Sequence, residues 1–233
     1  MGFNTLVHEN ILINILKDIY LDEGISSIIG FKGGTAAKLF YNLNRFSVDL
    51  DFDLLDVSKK EIVFDKIKSI LKKYGTIKKS DVKRYTLFFL LVYKDKEVLA
   101  KNIKVEINLR DFGSEYEKIS YMGVFMYVMC KKDMFAHKFV AMYERLGKTN
   151  RDLYDVHFFL ENMWPINKDI VEKRTGLKFK DFVKKCIGMI EKMDGSNLLA
   201  GLGELLSSKQ KPFVKTKLKI EILYLLKLFL KNI

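Results

Sequence analysis

Ser47-Val48-Asp49-Leu50-Asp51-Phe52-Asp53-Leu54 alternates strictly between polar and apolar side chains. A strand has a side-chain period of two, so this spacing predicts Val48, Leu50, Phe52 and Leu54 on a core face. Asp49, Asp51 and Asp53 then share the other face. Carboxylates at i, i+2 and i+4 repel one another, and packing does not require them. A divalent cation removes the conflict, and hard oxygen donors suit Mg²⁺ or Mn²⁺. The plain alternative is a solvent-facing strand with an acidic outer side, but solubility alone needs no such cluster.

Working outward from that strand, Gly33-Gly34-Thr35 lies between a short apolar run, Ile25–Phe31, read as a buried strand, and a helical segment, Ala36–Asn42, with Thr35 as its cap. Two glycines let backbone approach an anion closely, and a following helix offers free N–H groups to phosphate. The turn is not a Walker A loop, because no Gly-Lys-Ser/Thr ending follows at the required spacing. A phosphate cradle just before an Asp-x-Asp strand is a phosphoryl-transfer layout. Further upstream, Ile11, Ile15 and Ile19 mark an amphipathic helix over residues 5–22, closed by Gly24. Downstream, Ser58-Lys-Lys-Glu61 reads as a capping box opening a helix that ends at Gly75. Strand patterns follow at Arg84–Lys94 and Asn102–Arg110, joined by a turn at Asp95-Lys96, and Tyr121–Met129 adds one more.

From Lys131 the period becomes helical. Segments 131–146, 151–163, 168–175, 179–193, 197–207 and 213–231 are separated by Gly147, Pro165, Gly176, Gly195 and Pro212. The pattern predicts an α+β chain: a mixed-sheet domain over residues 1–130, then an all-helical bundle over 131–233. Charge follows the same division. The net charge is +12; residues 1–130 hold 20 Lys and Arg against 17 Asp and Glu, whereas residues 131–233 hold 21 against 12. A basic half suggests a polyanion-facing surface, although a generally lysine-rich composition gives the same excess.

Cys130 and Cys186 lie far apart and form no C-x-x-C pair, which argues against a zinc site or disulfide framework and fits a reducing cytoplasm. The chain start lacks a basic region followed by an apolar run, so no signal peptide is expected, and Leu87–Val92 is too short to span a bilayer. His8, His137 and His157 are too scattered for a metal set. The aromatics Tyr85, Phe88, Phe89 and Tyr93 read as core and strand-edge packing rather than a base-stacking platform. Trp164, before Pro165, reads as an interhelical plug, and Leu218, Ile222, Leu225 and Phe229 as the packed face of a last helix.

Phe31-Lys-Gly-Gly-Thr-Ala-Ala followed by Arg45-Phe-Ser-Val-Asp-Leu-Asp-Phe resembles the first motif of the AbiEii/AbiGii-type nucleotidyltransferase toxins, within the DNA polymerase beta-like superfamily. Ala136-His-Lys138, continuing through Arg145 to Arg151-Asp152-Leu-Tyr-Asp155, is similar to that family's later Ala-x-Lys and Arg-Asp-Leu-x-Asp stretches. The resemblance implies a nucleotidyltransferase-like sheet domain and transfer from a nucleoside triphosphate to an acceptor hydroxyl. It implies that Asp49 and Asp51 hold metal and that Gly33, Gly34 and Thr35 cradle phosphate. Glu106 is implied as the third carboxylate, positioning or deprotonating the nucleophile and completing the metal set. Lys138 and Asp152 take the family's later charged positions near the nucleotide, Lys138 neutralising phosphate. Asp53 receives no role. A toxin held by a separately encoded antitoxin and acting on RNA, with tRNA ends a target of some relatives, is the implied biology. Two other readings stay open: an antibiotic-type small-molecule nucleotidyltransferase, and a non-catalytic nucleic-acid-binding protein on this fold.

Overall fold

A computed structural model describes residues 5–95 and 98–233. The chain forms two compact units. The first comprises the chain through Phe40, with Phe46–Asp111 and Glu115–Met129; the second comprises Tyr41–Arg45, Phe112–Ser114 and Cys130–Ile233.

In the first unit the order is α1 (Thr5–Leu21), β1 (Ile29–Lys32), α2 (Gly33–Tyr41), β2 (Leu50–Leu54), α3 (Lys60–Lys72), β3 (Thr76–Lys83), β4 (Thr86–Asp95), β5 (Val98–Asn108), β6 (Tyr116–Tyr121) and β7 (Val124–Met129). The strands form one mixed sheet in the order β3-β4-β5-β2-β1-β7-β6. β2 runs antiparallel to β1 and parallel to β5. One sheet face is apolar: Leu50, Phe52, Val105, Ile107, Leu87 and Phe89 are buried. Helix α3 covers it, with the Phe64 and Phe89 rings 4.9 Å apart. Each such fully buried side chain contributes about 1.5–3 kcal/mol through loss of apolar surface to water.

Two strands escaped the sequence reading. β3 carries Thr-Ile-Lys-Lys-Ser-Asp-Val-Lys, with no clear alternation, and β6 lies just ahead of the strand read over Tyr121–Met129, which itself begins at Val124 as β7. Both are sheet edges. An edge strand is wetted along one side and protected by charge, so the apolar period that marks a buried strand is absent. β6 and β7 meet at Met122-Gly123, both with positive φ (47° and 79°), the geometry of a tight hairpin turn. At the expected Asp95-Lys96 turn, Lys96 lies outside the described residues.

Several boundaries also moved. β1 begins at Ile29, because residues 22–28 form turns. Helix α2 begins at Gly33, so Thr35 lies inside it and is not its cap. The expected capping box at Ser58 is replaced by Asp56, whose carboxylate accepts from the Ser58 N–H and hydroxyl and opens a 3₁₀ turn ahead of α3. Val48 precedes β2 and is half-buried rather than core.

The second unit is built from α4 (Lys131–Arg145), α5 (Arg151–Glu161), α6 (Lys168–Thr175), α7 (Phe179–Lys192), α8 (Gln210–Thr216) and α9 (Leu218–Lys231). Residues 197–207, expected as a helix, form turns and one short 3₁₀ segment, Gly203–Leu205. The expected helix over 213–231 is two helices that break at Lys217. Pro212 lies in the first turn of α8, where its missing N–H costs nothing. Trp164 does plug the bundle, stacking on Phe159 with centroids 4.1 Å apart. On α9, Leu218, Ile222 and Leu226 are the buried face; Leu225 and Phe229 are half-buried.

Candidate active site

The polar face of the sheet carries the acids. Register pairs Lys32 of β1 with Asp51 of β2, and Asp51 with Glu106 of β5. Directly opposed residues on adjacent strands project to the same side, so Glu106 shares the aspartate face. Asp49 sits one step before β2. Its carboxylate accepts from the Lys104 backbone N–H at 3.3 Å, and the Lys104 ammonium lies 3.6 Å from Asp49 Oδ2 and 3.5 Å from Glu106 Oε2. Positive charge thus stands between two of the three acids.

The turn that precedes α2 packs directly on this row. Gly33 has φ +80°, and a Cβ there would stand 2.4 Å from Asp51 Oδ2, so only glycine brings the backbone this close to the carboxylate. Thr35, expected among the phosphate-cradling residues, is 3% exposed. Its hydroxyl lies 2.9 Å from Ser47 Oγ and against the Asp49 carbonyl, so in the structure it fixes the backbone that aims Asp49.

Asp53 departs from the reading of three equivalent acids. It is 7% exposed and accepts from Lys32 Nζ (2.5 Å), Asn108 Nδ2 (2.6 Å) and Tyr116 Oη (2.5 Å). The Tyr116 ring covers Gly30, where a Cβ would stand 2.2 Å from the ring. Asp53 is therefore a neutralised hub joining β1, β2, β5 and β6. The repulsion inferred along the strand is relieved in part by Lys32 and Lys104. Neither lysine stood out in sequence, although Lys32 directly precedes Gly-Gly and Lys104 shares the alternating face of Glu106.

Among the described residues no three His, Cys, Asp or Glu side chains are drawn together closely enough to hold a metal. Asp51 and Glu106 are opposed in register and Asp49 stands just before β2, but the three are not gathered into one coordination sphere. Their donor chemistry still fits a divalent cation. The oxygens are hard, the face is open enough for Glu106 to remain 37% exposed, and a positive group already occupies the gap.

Lys138 and Asp152 belong to a second cluster, in the helical unit. Arg45 grips Asp155 with two bonds, Nε–Oδ1 at 2.6 Å and Nη2–Oδ2 at 2.7 Å. Lys138 lies 2.8 Å from Asp155 and 3.2 Å from Asp152, and Arg145 lies 2.7 Å from Asp152. Burial would raise the Asp155 pKa, but Arg45 and Lys138 outweigh it and hold the carboxyl down at about 2. Burial likewise opposes charge on Arg45 and Lys138, yet the aspartates shift both upward.

In the same unit, Arg174 Nη1 donates to His137 Nδ1 at 3.1 Å, which leaves the ring proton on Nε2, facing Ser114 Oγ at 2.8 Å. His137 therefore donates to Ser114 and cannot act as its base. A cavity of about 250 Å³ opens between Asn44, Tyr154, His157 and Phe213, and no residue of the acid row lines it.

Comparison with known proteins bears on both clusters. No curated protein matches the chain. The structure resembles that of JHP933 from Helicobacter pylori, with TM-score 0.69 at 23% identity, covering 100% of this chain and 94% of that one. It also resembles a putative nucleotidyltransferase from H. pylori (TM-score 0.68, 23% identity, 100% and 97% covered). MenT4, a nucleotidyltransferase toxin from Mycobacterium tuberculosis, shares the fold at TM-score 0.57 and 17% identity, with 93% and 82% covered. The model of the family described as nucleotidyl transferase AbiEii toxin, type IV toxin–antitoxin system, matches residues 15–207, which take in both the acid row and the Lys138–Asp155 cluster. This chain belongs to the AbiEii nucleotidyltransferase toxin family and is a nucleotidyltransferase.

Proposed function

We propose that the chain moves a nucleotidyl group from a nucleoside triphosphate onto a hydroxyl of an RNA acceptor, with tRNA among the candidates, in a Mg²⁺- or Mn²⁺-dependent reaction. The row Lys32–Asp51–Glu106 across three adjacent strands, packed against Gly33, is the observation that carries this reading. Asp49, Asp51 and Glu106 would hold the divalent cation, whose chemistry when bound is to neutralise phosphate charge and activate the hydroxyl.

The chain's own groups account for the remaining steps. Backbone N–H groups at Gly33 and Gly34 receive phosphate oxygens at the start of α2. Glu106 orients the acceptor hydroxyl and takes its proton. The hydroxyl oxygen bonds to the α-phosphorus as the bond to the bridging oxygen breaks, and pyrophosphate leaves. Lys104, displaced from between Asp49 and Glu106, carries its charge toward the phosphates. Lys138 and Asp152 are assigned to the nucleotide side on the strength of their place in the matched motif and the charge of Lys138. Asp152 and Asp155 keep that ammonium protonated.

Two buried free thiols are compatible with a reducing cytoplasm, and a separately encoded antitoxin is the expected partner. No helix among the described residues is long and apolar enough to cross a membrane. The test is to incubate the protein with each labelled nucleoside triphosphate, Mg²⁺ and total cellular RNA. Label in RNA that chelation abolishes is the expected result. Label confined to small molecules would overturn the RNA acceptor, and no incorporation under any condition would overturn the activity.

A further inference from the structure

The four aromatics read as one packing group separate in the structure. Phe89 is fully buried and Tyr93 is 3% exposed, both within the core. Phe88 is half-buried on the opposite face, and Tyr85 is 44% exposed at the turn between β3 and β4. Register places Phe88 directly opposite Glu106, which is itself opposite Asp51. Phe88, Glu106 and Asp51 thus form one row over two strand spacings, about 10 Å.

Cations surround these two rings. The Lys83 ammonium lies 4.4 Å from the Phe88 centroid, and the Arg84 and Arg110 guanidinium carbons lie 4.9 and 5.4 Å from the Tyr85 centroid. No described carboxylate lies within ion-pair distance of Lys83 or Arg84. Asp81, the acid of this face of β3, is paired with Lys79 at 3.2 Å. Core packing explains Phe89 and Tyr93, but it does not explain a half-open ring beside a carboxylate with cations gathered close by. Sequence-tolerant capture of single strands uses this pairing, with bases stacked on aromatic faces and phosphates held by Lys and Arg.

We infer that Phe88 and Tyr85, with Lys83, Arg84 and Arg110, form a stacking platform for the end of a single-stranded RNA acceptor, delivering its terminal hydroxyl to Glu106. This rests on the proposed transfer centre at Asp49, Asp51 and Glu106. The platform takes the acceptor rather than the incoming nucleotide because it adjoins Glu106, whereas the phosphate turn at Gly33-Gly34 adjoins the far side of Asp51.

The test uses the full chain and a labelled single-stranded RNA oligonucleotide of about ten nucleotides, long enough for one such groove. Phe88→Leu retains apolar volume but removes the π face, and Phe88→Trp restores one. Lys83→Gln with Arg84→Gln removes two exposed charges at positions where folding is undemanding. Oligonucleotide affinity should fall roughly tenfold in Phe88→Leu and recover in Phe88→Trp. The double glutamine variant should flatten the salt dependence of binding, its logarithmic slope falling by about 0.7 for each phosphate that is no longer neutralised. Nucleoside triphosphate affinity, measured separately with Mg²⁺, should stay within about twofold in both. Loss of triphosphate affinity with oligonucleotide binding intact would reassign the ring to the nucleotide and overturn the proposal. Unchanged oligonucleotide binding in all three variants would also overturn it. Failure of the transfer reading is a distinct outcome: no metal-dependent incorporation by the unaltered protein, whatever its affinity for the oligonucleotide.

Discussion

The molecule holds two charged clusters of opposite design. On the open sheet face Asp49, Asp51 and Glu106 outnumber the Lys104 ammonium set among them, and the site stays partly wet. In the helical unit each carboxylate is paired twice, Asp155 by Arg45 and Lys138 and Asp152 by Lys138 and Arg145, and Asp155 is wholly buried. A surplus of one sign on an accessible face costs free energy until something of opposite charge arrives. A buried set in which every carboxylate is paired loses much when any member is removed. The proposed transfer rests on the first arrangement; the second holds α4, α5 and the 41–45 segment in one geometry and so fixes where Lys138 and Asp152 stand.

The largest expected effect tests the first half of that contrast. Asp51→Asn keeps shape but removes ligand charge, so metal-dependent transfer should fall by about a thousandfold or more, read as steady-state incorporation. Its melting temperature in metal-free buffer should hold or rise, because a like-charge repulsion is relieved. A sharp loss of stability with activity preserved would make the acid row structural.

Asp155→Asn should do the reverse. Leaving Arg45 and Lys138 buried without their shared partner should cost about 3–5 kcal/mol in denaturant unfolding. Activity per folded molecule, measured below the unfolding midpoint, should change far less than in Asp51→Asn. The same carboxylate gives a pH signature. Its folded pKa of about 2 lies below the ordinary aspartate value of 3.8. Its stabilisation is thus fully present above pH about 4 and disappears as the pH falls through about 2, an increment of about 2 kcal/mol in acid unfolding. Asp155→Asn should erase that increment, and an unchanged acid profile would show that the pair contributes nothing.

Smaller effects refine the open site. Gly33→Ala meets both a positive φ and the Asp51 carboxylate, which should cost about 1–2 kcal/mol of stability and a greater share of activity. Equal losses in both would mean that the turn serves folding alone. Lys104→Met should change stability by less than about 1 kcal/mol, as expected for a half-exposed ion pair, while tightening Mn²⁺ binding to the vacated acids in titration calorimetry. Weaker Mn²⁺ binding would place Lys104 among the groups that organise the site rather than compete for it.

Local sequence pattern was enough to locate the acid-bearing face of the first cluster. Alternation over Leu50–Leu54 fixed the face to which Asp51 and Asp53 project, and Gly33-Gly34 marked a close approach of backbone, because strand period and glycine freedom are local properties. The edge strands β3 and β6 were illegible because wet edges carry no apolar period. The remaining partners came together only through long-range folding. Asp53 looked equivalent to Asp51 until β1, β5 and β6 delivered Lys32, Asn108 and Tyr116 to it. Arg45 and Asp155 are 110 residues apart and became a buried pair only when the chain closed. Phe88 and Phe89, neighbours in sequence and alike in composition, were sent to opposite faces of the sheet, one into the core and one beside Glu106. Which charges meet, and which rings stay open, depends on partners brought from distant parts of the chain, and no local pattern records them.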